Sequence, residues 1–488
     1  MADGLLRRWV LPMGLILLAG AGGLLAIAWR HGDPLGDAPR AGGGGLPPPP
    51  PPPEPERPFS FIFGGELAGR LGSPPCSQLK QGGLARVASV VEKMTTRSPN
   101  NILMDTGDVP CSEGELGELE YETGLGILRE AGLAVAAVGE RDLLVGLDRW
   151  REAKNRAAEG VSVLCANLRD DAGVPLVPAV ATFVLGTRRV HVAATLSPSF
   201  EPVLRAAGVP VRLLDPAESL RQALGVAGKA DMVVLLSHAP AGESRELLRS
   251  LPEVRLAITA HAGDEPLLEP EVVDGRLLMA PGTGWQNISA VRFVGRPAGG
   301  IDTVDTHNRA VSPKATPSPL VMMRLAELQR RTGEPGFLAR SLKERAARRA
   351  GGPSFTGPAA CASCHPAAHA KWSGGEDPHA SSMRNLRRMD QEAIPLCLQC
   401  HATAAGMPGG HLEPGDGQGA VTCEACHGSG AEHAAKDGRV PLADPKASCI
   451  RCHTPEMSPE FEFDAAWLRT GHQRPTARMA APAARRER

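Results

Sequence analysis

The chain has 488 residues, 42% of them hydrophobic, which is enough for two or three domains with a sizeable core. Its 53 basic and 54 acidic residues leave a formal net charge of −1, so there is no electrostatic case for nucleic acid as a partner. Aromatic residues make up only 3%, with a single tyrosine, Tyr121, so bulk for a small core must come from another source.

In chain order, residues 9–29 (WVLPMGLILLAGAGGLLAIAW) carry no charge and are long enough to cross a bilayer as a helix. Arg7 and Arg8 precede them, so the positive-inside tendency keeps the N-terminus cytoplasmic and exports the rest. We expect residues 1–31 to be an uncleaved anchor. A cleaved signal peptide is the rival reading, although the segment runs into Trp29-Arg30-His31 without a small-x-small cleavage site. Residues 32–58 are a Gly/Pro-rich linker ending in the proline run 47–53, a semi-rigid spacer that cannot build a core.

From 59 to 306 short apolar runs alternate with amphipathic stretches. Strands are predicted at 59–63, 101–105, 134–138, 161–166, 190–194, 232–237 and 255–260, with helices at 84–96 and 116–131 between them. This alternation predicts a layered α/β domain. Residues 307–354 contain a polar, Arg-rich helical linker whose charge run is most simply a solvated face. A further segment covers 355–475, and residues 476–488 are expected to be a disordered tail.

That further segment holds four Cys-x-x-Cys-His motifs: Cys361/Cys364/His365, Cys397/Cys400/His401, Cys423/Cys426/His427 and Cys449/Cys452/His453. This is the covalent c-type haem attachment pattern. Two thiols add to the haem vinyl groups and the adjacent histidine reaches the iron. Structural zinc also uses Cys-x-x-Cys pairs, but it does not require a histidine directly after each one. We therefore expect four covalent haems, whose macrocycles supply bulk that the aromatic side chains do not. The eight motif cysteines leave Cys76, Cys111 and Cys165 of the eleven.

The runs CASCHPAAHAKW, CLQCH, VTCEACHGSGAEH and CIRCH, with FDAAWLRTGH after the last, resemble the tetrahaem cytochromes of nitrifiers that accept electrons from hydroxylamine oxidoreductase. The resemblance covers roughly the last quarter of the chain and implies a mostly α or irregular multihaem cytochrome c domain. It makes His365, His401, His427 and His453 proximal ligands, and places His379, His433 and His472 where such cytochromes supply distal ones. For the second haem it leaves His411, His369, Met383 or an open position.

Residues 59–306 resemble the exported 5′-nucleotidase branch of the calcineurin-like metallophosphoesterases. The resemblance rests on QGGLARVASVVEKM, NILMDTGD, AVAAVGERD, SVLCANL, VVLLSHAP and AITAHAGD. It implies a four-layer α/β sandwich with two metals. Here the first motif, usually Asp-x-His, reads Glu66-Leu67-Ala68; the Gly-Asn-His motif reads Gly139-Glu140-Arg141; and the last, usually Gly-His-x-His, ends at Gly263. One metal position thus contains Ala68 and Gly263, which cannot coordinate. The other keeps four donors, Asp108, Glu140, His238 and His261, a set suited to one divalent ion such as zinc or manganese. Arg141 stands where the family has its catalytic histidine and cannot act as acid or base near neutral pH. We expect no hydrolysis, and either a single-ion half site or a metal-free scaffold.

Cys76 and Cys111 fall on loops at the same end of the predicted sheet. A disulfide between them is the simpler expectation, a redox pair feeding the haems the sharper one, and Cys165 belongs to a buried strand. The sequence as a whole predicts an electron carrier, anchored to the inner membrane and facing the periplasm, that exchanges electrons with other cytochromes or a membrane quinol oxidoreductase. The alternatives are a surviving hydrolase of phosphate esters or nucleotides, or a redox enzyme acting at an open haem position.

Overall fold

The structure, a computed structural model, describes residues 57–470 apart from 73–80, 264–265, 297–299, 376, 390, 393, 414–415, 417 and 456. The expected membrane span at 9–29, nearly all of the 32–58 linker, Cys76, His472 and the tail lie outside the described residues. Among the described residues no helix is long and apolar enough to cross a membrane.

The front domain is built on two six-stranded sheets. Its strands are β1 (Phe59–Gly64), β2 (Asn101–Asp105), β3 (Leu133–Ala137), β4 (Ser162–Leu164), β5 (Leu168–Asp170), β6 (Val180–Leu185), β7 (Arg188–Leu196), β8 (Val211–Leu213), β9 (Met232–His238), β10 (Val254–Thr259), β11 (Glu271–Val273), β12 (Arg276–Met279), β13 (Asn287–Gly295) and β14 (Ile301–Ala310). One sheet runs β14-β13-β1-β2-β3-β4, the other β11-β12-β10-β9-β7-β6, and β5 pairs with β8 beside them. The centre of each is parallel: β1 lies along β2 with Phe61 opposite Ile102, and β9 along β7 with Val234 opposite Val192. Strands covered on both faces need apolar residues on both, which is why these segments read as continuous apolar runs.

The layers follow from where the side chains go. Phe59, Phe61 and Phe63 of β1 point between the sheets, where they meet Val192, Val234 and Ile258. Ile62 points the other way, toward helices α1 (Leu84–Arg97) and α2 (Gly114–Glu130). The outer face of the second sheet is covered by α6 (Pro216–Ala227) and α7 (Ala241–Ser250), through Leu220, Leu224 and Leu248. Three shorter helices precede those two: α3 (Glu140–Leu144), α4 (Leu147–Ala157) and α5 (Glu201–Ala206). The result is helix, sheet, sheet, helix.

Strands fall within one or two residues of their predicted positions wherever a run is apolar on both faces. The β13–β14 hairpin had no such signal, because β14 is half polar, pairs only with β13 and leaves its other edge open. It carries the domain to Ala310, past the expected limit at 306.

The linker departs from its predicted solvated face. It forms α8 (Pro319–Thr332) and α9 (Phe337–Arg348), and α9 is shared between the front domain and the haem segment. Phe337 packs with Leu116 and Leu119 of α2, while Leu342 packs with Met383, Leu386, Leu398 and Ala402 of the haem segment. Arg345 and Arg349 bond Glu113 at 3.1 and 2.8 Å, and the Glu113 side chain is only 3% exposed. Arg348 donates to Val145 O and Arg345 to Ala405 O. A charge run reads as solvated unless a buried carboxylate waits for it, and Glu113 lies too far away in sequence to have been visible.

Removing Glu113 would leave two partly buried guanidinium groups without their anion. Glu113→Gln is expected to lower unfolding stability by about 2 kcal/mol, measured by urea denaturation, because charged hydrogen bonds are lost and not exchanged for solvent. An unchanged midpoint would show that α9 does not depend on this pair.

Candidate functional site

Two sites take shape. The first lies at the C-terminal ends of β2, β3, β9 and β10, which deliver one donor each from Asp108, Glu140, His238 and His261, all within 4.8 Å of one another. His238 donates from Nδ1 to Thr106 O at 2.6 Å, which fixes the ring and turns Nε2 toward the cluster. That nitrogen is 2.9 Å from Glu140 Oε2, 3.5 Å from Asp108 Oδ1 and 2.9 Å from His261 Nε2. His261 Nε2 is 3.3 Å from Glu140 Oε2 and 3.8 Å from Asp108 Oδ2. Burial alone would lower the His238 pKa, but Asp108 and Glu140 outweigh it and raise it well above the ordinary histidine value. Asp108 Oδ2 is buried and accepts no hydrogen bond, although the Arg141 guanidinium lies 3.2 Å away as an ion-pair partner. Two carboxylates and two imidazoles converging on one point are a donor set that fits one ion of the zinc or manganese type.

The backbone around this site is unusual. Glu66, Ala68, Asp108 and His261 all have left-handed φ angles, of 38, 45, 60 and 44°. Each such residue costs on the order of 1–3 kcal/mol and persists only where its surroundings force it. Gly139 must be glycine, because a Cβ there would lie 2.1 Å from Asp108 Oδ1. Asp142 accepts from the backbone nitrogens of Asp108, Val109 and Gly139, and burial followed by the Asp108 charge pushes it up to about 8. Asp105 accepts from Trp285 Nε1 at 2.7 Å and is pushed up to about 7 by burial.

The second metal position does not form. Ala68 has no donor, Glu66 is engaged by the His261 backbone nitrogen, and the Arg141 guanidinium stands 3.2 Å from Asp108 Oδ2 with its backbone nitrogen donating to Asp108 Oδ1 at 2.8 Å. A fixed cation therefore lies against the carboxylate that would have to bridge two ions. The Phe200 ring packs 4.9 Å from His261 and 5.9 Å from His238, an apolar cover that no motif announced.

The second site is the haem segment. All four Cys-x-x-Cys-His motifs sit in or next to short helices, such as Pro358–Ala362, Pro395–His401, Cys423–His427 and Pro445–Cys449. The Cys361 thiol lies against Cys423, Cys426 against Cys449, and Cys400 against Cys452. The motifs are thus strung in space as first, third, fourth and second.

Of the eight motif cysteines, Cys364 is the one that is exposed, with Ser363 Oγ 3.8 Å from its Sγ. The first motif's helix stops at Ala362, and residues 363–367, which lead into the helix Pro366–Ser373, are exposed. Cys361, one helical turn earlier, is turned toward Cys423 instead. Cys364 can therefore anchor a haem only at the solvent-facing rim of the segment.

Two pairs of histidine rings face each other, His365 with His433 at 6.5 Å between ring centres and His379 with His453 at 6.0 Å. Two imidazoles on opposite sides of one metal, each nitrogen about 2 Å from it, have ring centres roughly 6 Å apart. The outer nitrogens are held: His433 Nδ1 donates to Val440 O at 2.6 Å and His379 Nδ1 to Asp377 Oδ1 at 2.8 Å. Each Nε2 is left free for iron, which is how ligating histidines are oriented. His401 is held the same way, with Nδ1 donating to Ser382 O at 3.0 Å.

The remaining candidates sort differently. His411 is buried with Nδ1 on Asp416 Oδ1 at 3.1 Å, and faces no proximal ring among the described contacts. Met383 lies in the apolar cluster beside Cys397, and His369 lies against Trp372. The Trp467 ring is 6.0 Å from His427, whose expected partner His472 lies outside the described residues. Cys111 is a free thiol that donates to Glu120 Oε1 at 3.5 Å, while its proposed partner Cys76 lies outside the described residues. Cys165 is buried beside Asn167.

A cavity of about 1910 Å³ runs through this segment, lined by Cys397, Cys400, Cys423, Cys426, Cys449 and Cys452. That is larger than the roughly 300–1,000 Å³ enclosing a single small-molecule ligand and fits several macrocycles. Thiols in pairs, opposed imidazoles and this volume all suit haem.

These features place a segment with four Cys-x-x-Cys-His motifs behind an α/β sandwich. Residues 360–428 match the family model described as cytochrome c554 and c-prime. The front domain is similar in fold to a 5′-nucleotidase precursor from Thermus thermophilus, at 18% identity and TM-score 0.48, over 56% of this chain and 59% of that one. It is also similar to the calcineurin-like phosphoesterase YfkN from Bacillus subtilis, at 15% identity and TM-score 0.49, over 57% and 98%. A third likeness is to the sulfate thiohydrolase SoxB of Thermus thermophilus, at 16% identity and TM-score 0.48, over 57% and 61%. The chain thus spans about three fifths of the nucleotidase precursor and of the thiohydrolase. No curated protein matches the chain.

The quartet generates a stoichiometry. Elemental analysis of the intact protein is expected to find no more than one zinc or manganese per chain. His238→Ala and His261→Ala should each lose it, since each removes one of four ligands. Two ions per chain would mean that Arg141 does not exclude the second, and none would leave a metal-free scaffold.

Proposed function

We propose that this protein is an exported, membrane-anchored tetrahaem electron carrier whose front domain is a non-hydrolytic docking or sensing module. The observation that carries the reading is the string of facing thiols joining all four motifs, combined with the cytochrome family match over 360–428. Haem iron, when bound, supplies one-electron exchange between its ferric and ferrous forms. The chain's own work is to hold the macrocycles close together, with the eight motif cysteines from Cys361 to Cys452 as anchors and His365, His433, His379 and His453 as axial donors. Trp9 to Trp29 would tether the chain to the inner membrane with the haems in the periplasm. Partners would be other cytochromes or a membrane quinol oxidoreductase.

For the front domain, Arg141 argues against hydrolysis. It cannot take up or release a proton near neutral pH, and its pKa is raised further because Asp108 and Glu140 outweigh the effect of burial. A single ion beside it is structural or regulatory.

Two outcomes are expected. Denatured protein should keep its colour on a gel and carry the mass of four haems. Cys→Ala at any motif position should impair the matching attachment, because one thioether is lost; a colourless protein containing zinc would end this reading. Supplied with manganese or zinc, the protein should show no phosphomonoesterase or nucleotidase turnover. Robust turnover abolished by Asp108→Ala would restore the hydrolase.

A further inference from the structure

The two middle positions of a Cys-x-x-Cys-His motif take no part in haem attachment. The first of them is Ala362, Leu398, Glu424 and Ile450 in the four motifs in turn. Only the third motif places a carboxylate there, and Glu424 is 3% exposed. A carboxylate withdrawn from water is stable only where hydrogen bonds replace the water. Glu424 finds three backbone N–H donors on two separate segments. Its Oε2 accepts from Gly357 N at 2.8 Å and its Oε1 from Gly430 N at 2.7 Å. Thr356 N lies between them, 3.0 Å from Oε1 and 3.1 Å from Oε2. Bonds to a charged acceptor are roughly twice as strong as neutral ones, so this is a firm clamp.

Both clamped segments serve the first motif. Gly357 opens the helix Pro358–Ala362, and Cys361 Sγ lies 3.8 Å from Gly357 O. Gly430 immediately precedes the helix Ala431–Ala435, which carries His433. The His433 ring faces His365 at 6.5 Å between centres. Ala431 N donates to Ser354 O at 3.4 Å, so the two segments also meet directly. Space at the clamp is tight, since a Cβ at Gly430 would lie 3.0 Å from Glu424 Oε1. One side chain of the third motif thus lies between the anchor of the first haem and the segment that brings the opposing imidazole.

We propose that Glu424 is the positioning residue for the sixth ligand of the first haem: by fixing the segments at Gly357 and Gly430 to one point, it holds His433 opposite His365. Glu424 does not reach the iron and acts through His433. The bond from His433 Nδ1 to Val440 O orients the ring, and Glu424 sets where the helix that carries it stands. The inference rests on the electron-carrier reading, because it requires a covalent haem at the first motif.

The test counts the carbon monoxide bound by the reduced full-length holoprotein. An iron that has lost an axial imidazole takes up this ligand, whereas one held by two imidazoles does not. Glu424→Ala is expected to bind one more carbon monoxide per chain than the wild type, with one ferric haem turning high-spin by electron paramagnetic resonance. His433→Ala should show the same gain. The double variant should gain one and not two, because both changes open the same iron. Added imidazole should return that haem to the low-spin form in each variant. No gain in either single variant, a gain of more than one, a gain of two in the double variant, or a high-spin signal that imidazole does not remove would each overturn the proposal. If Glu424→Ala fails to load its haems, Gly430→Ala decides, because its Cβ presses on the carboxylate at the His433 side alone. Unchanged carbon monoxide uptake there overturns the proposal. A wild-type protein without covalent haem would defeat the electron-carrier reading as well, whereas a loaded protein indifferent to these changes defeats this inference alone.

Discussion

A carboxylate almost out of reach of water needs cations, and Glu113 finds its two in Arg345 and Arg349, 232 and 236 residues further along the chain. Much else depends on this pairing. It lays α9 across α2 with Leu342 turned toward Met383 and Leu398, so that one helix closes two cores. Without its anion, the arginine-rich face of α9 would favour solvent, and the haem segment would lose an apolar wall it cannot easily replace. Among the described residues that segment has few buried apolar side chains of its own.

The same loop carries Asp108 and, five residues later, Glu113. The end of the sheet that presents the metal quartet therefore also seats the linker, and the turn from Glu66 to Leu71 borders both the quartet and the haem cavity. The loop is bound on several sides, and a guanidinium lies against Asp108 within it. Glu66, Ala68 and Asp108 are all held in left-handed backbone, and contacts between segments remote in sequence keep them there.

The sequence made legible whatever is local or repeated. Apolar runs covered on both faces marked the central strands, the spacing of thiols and histidines marked the haem anchors, and motif resemblance picked out the four residues that converge. Pairing was not legible. Nothing in the order of the histidines says that His365 faces His433 and His379 faces His453, because the choice depends on how helices of five to eight residues stack. The exposure of Cys364 was hidden for a related reason: its motif is identical in spacing to the other three. Glu113 and Phe200 were missed because each looks like an ordinary loop residue until its distant neighbour is in place. The charge run in α9 misled because composition cannot show a buried partner.

The spatial order of the motifs differs from their order along the chain. Because the second is joined to the fourth through Cys400 and Cys452, with Cys452 reaching Gln399 O across 53 residues, the segment cannot close as it emerges from N- to C-terminus. The second motif must wait, uncovered, for the last to arrive, and long-range closure of this kind is slow. The architecture thus sets an order of assembly: the motif that borders the front domain stays unsealed until nearly the whole chain is in place.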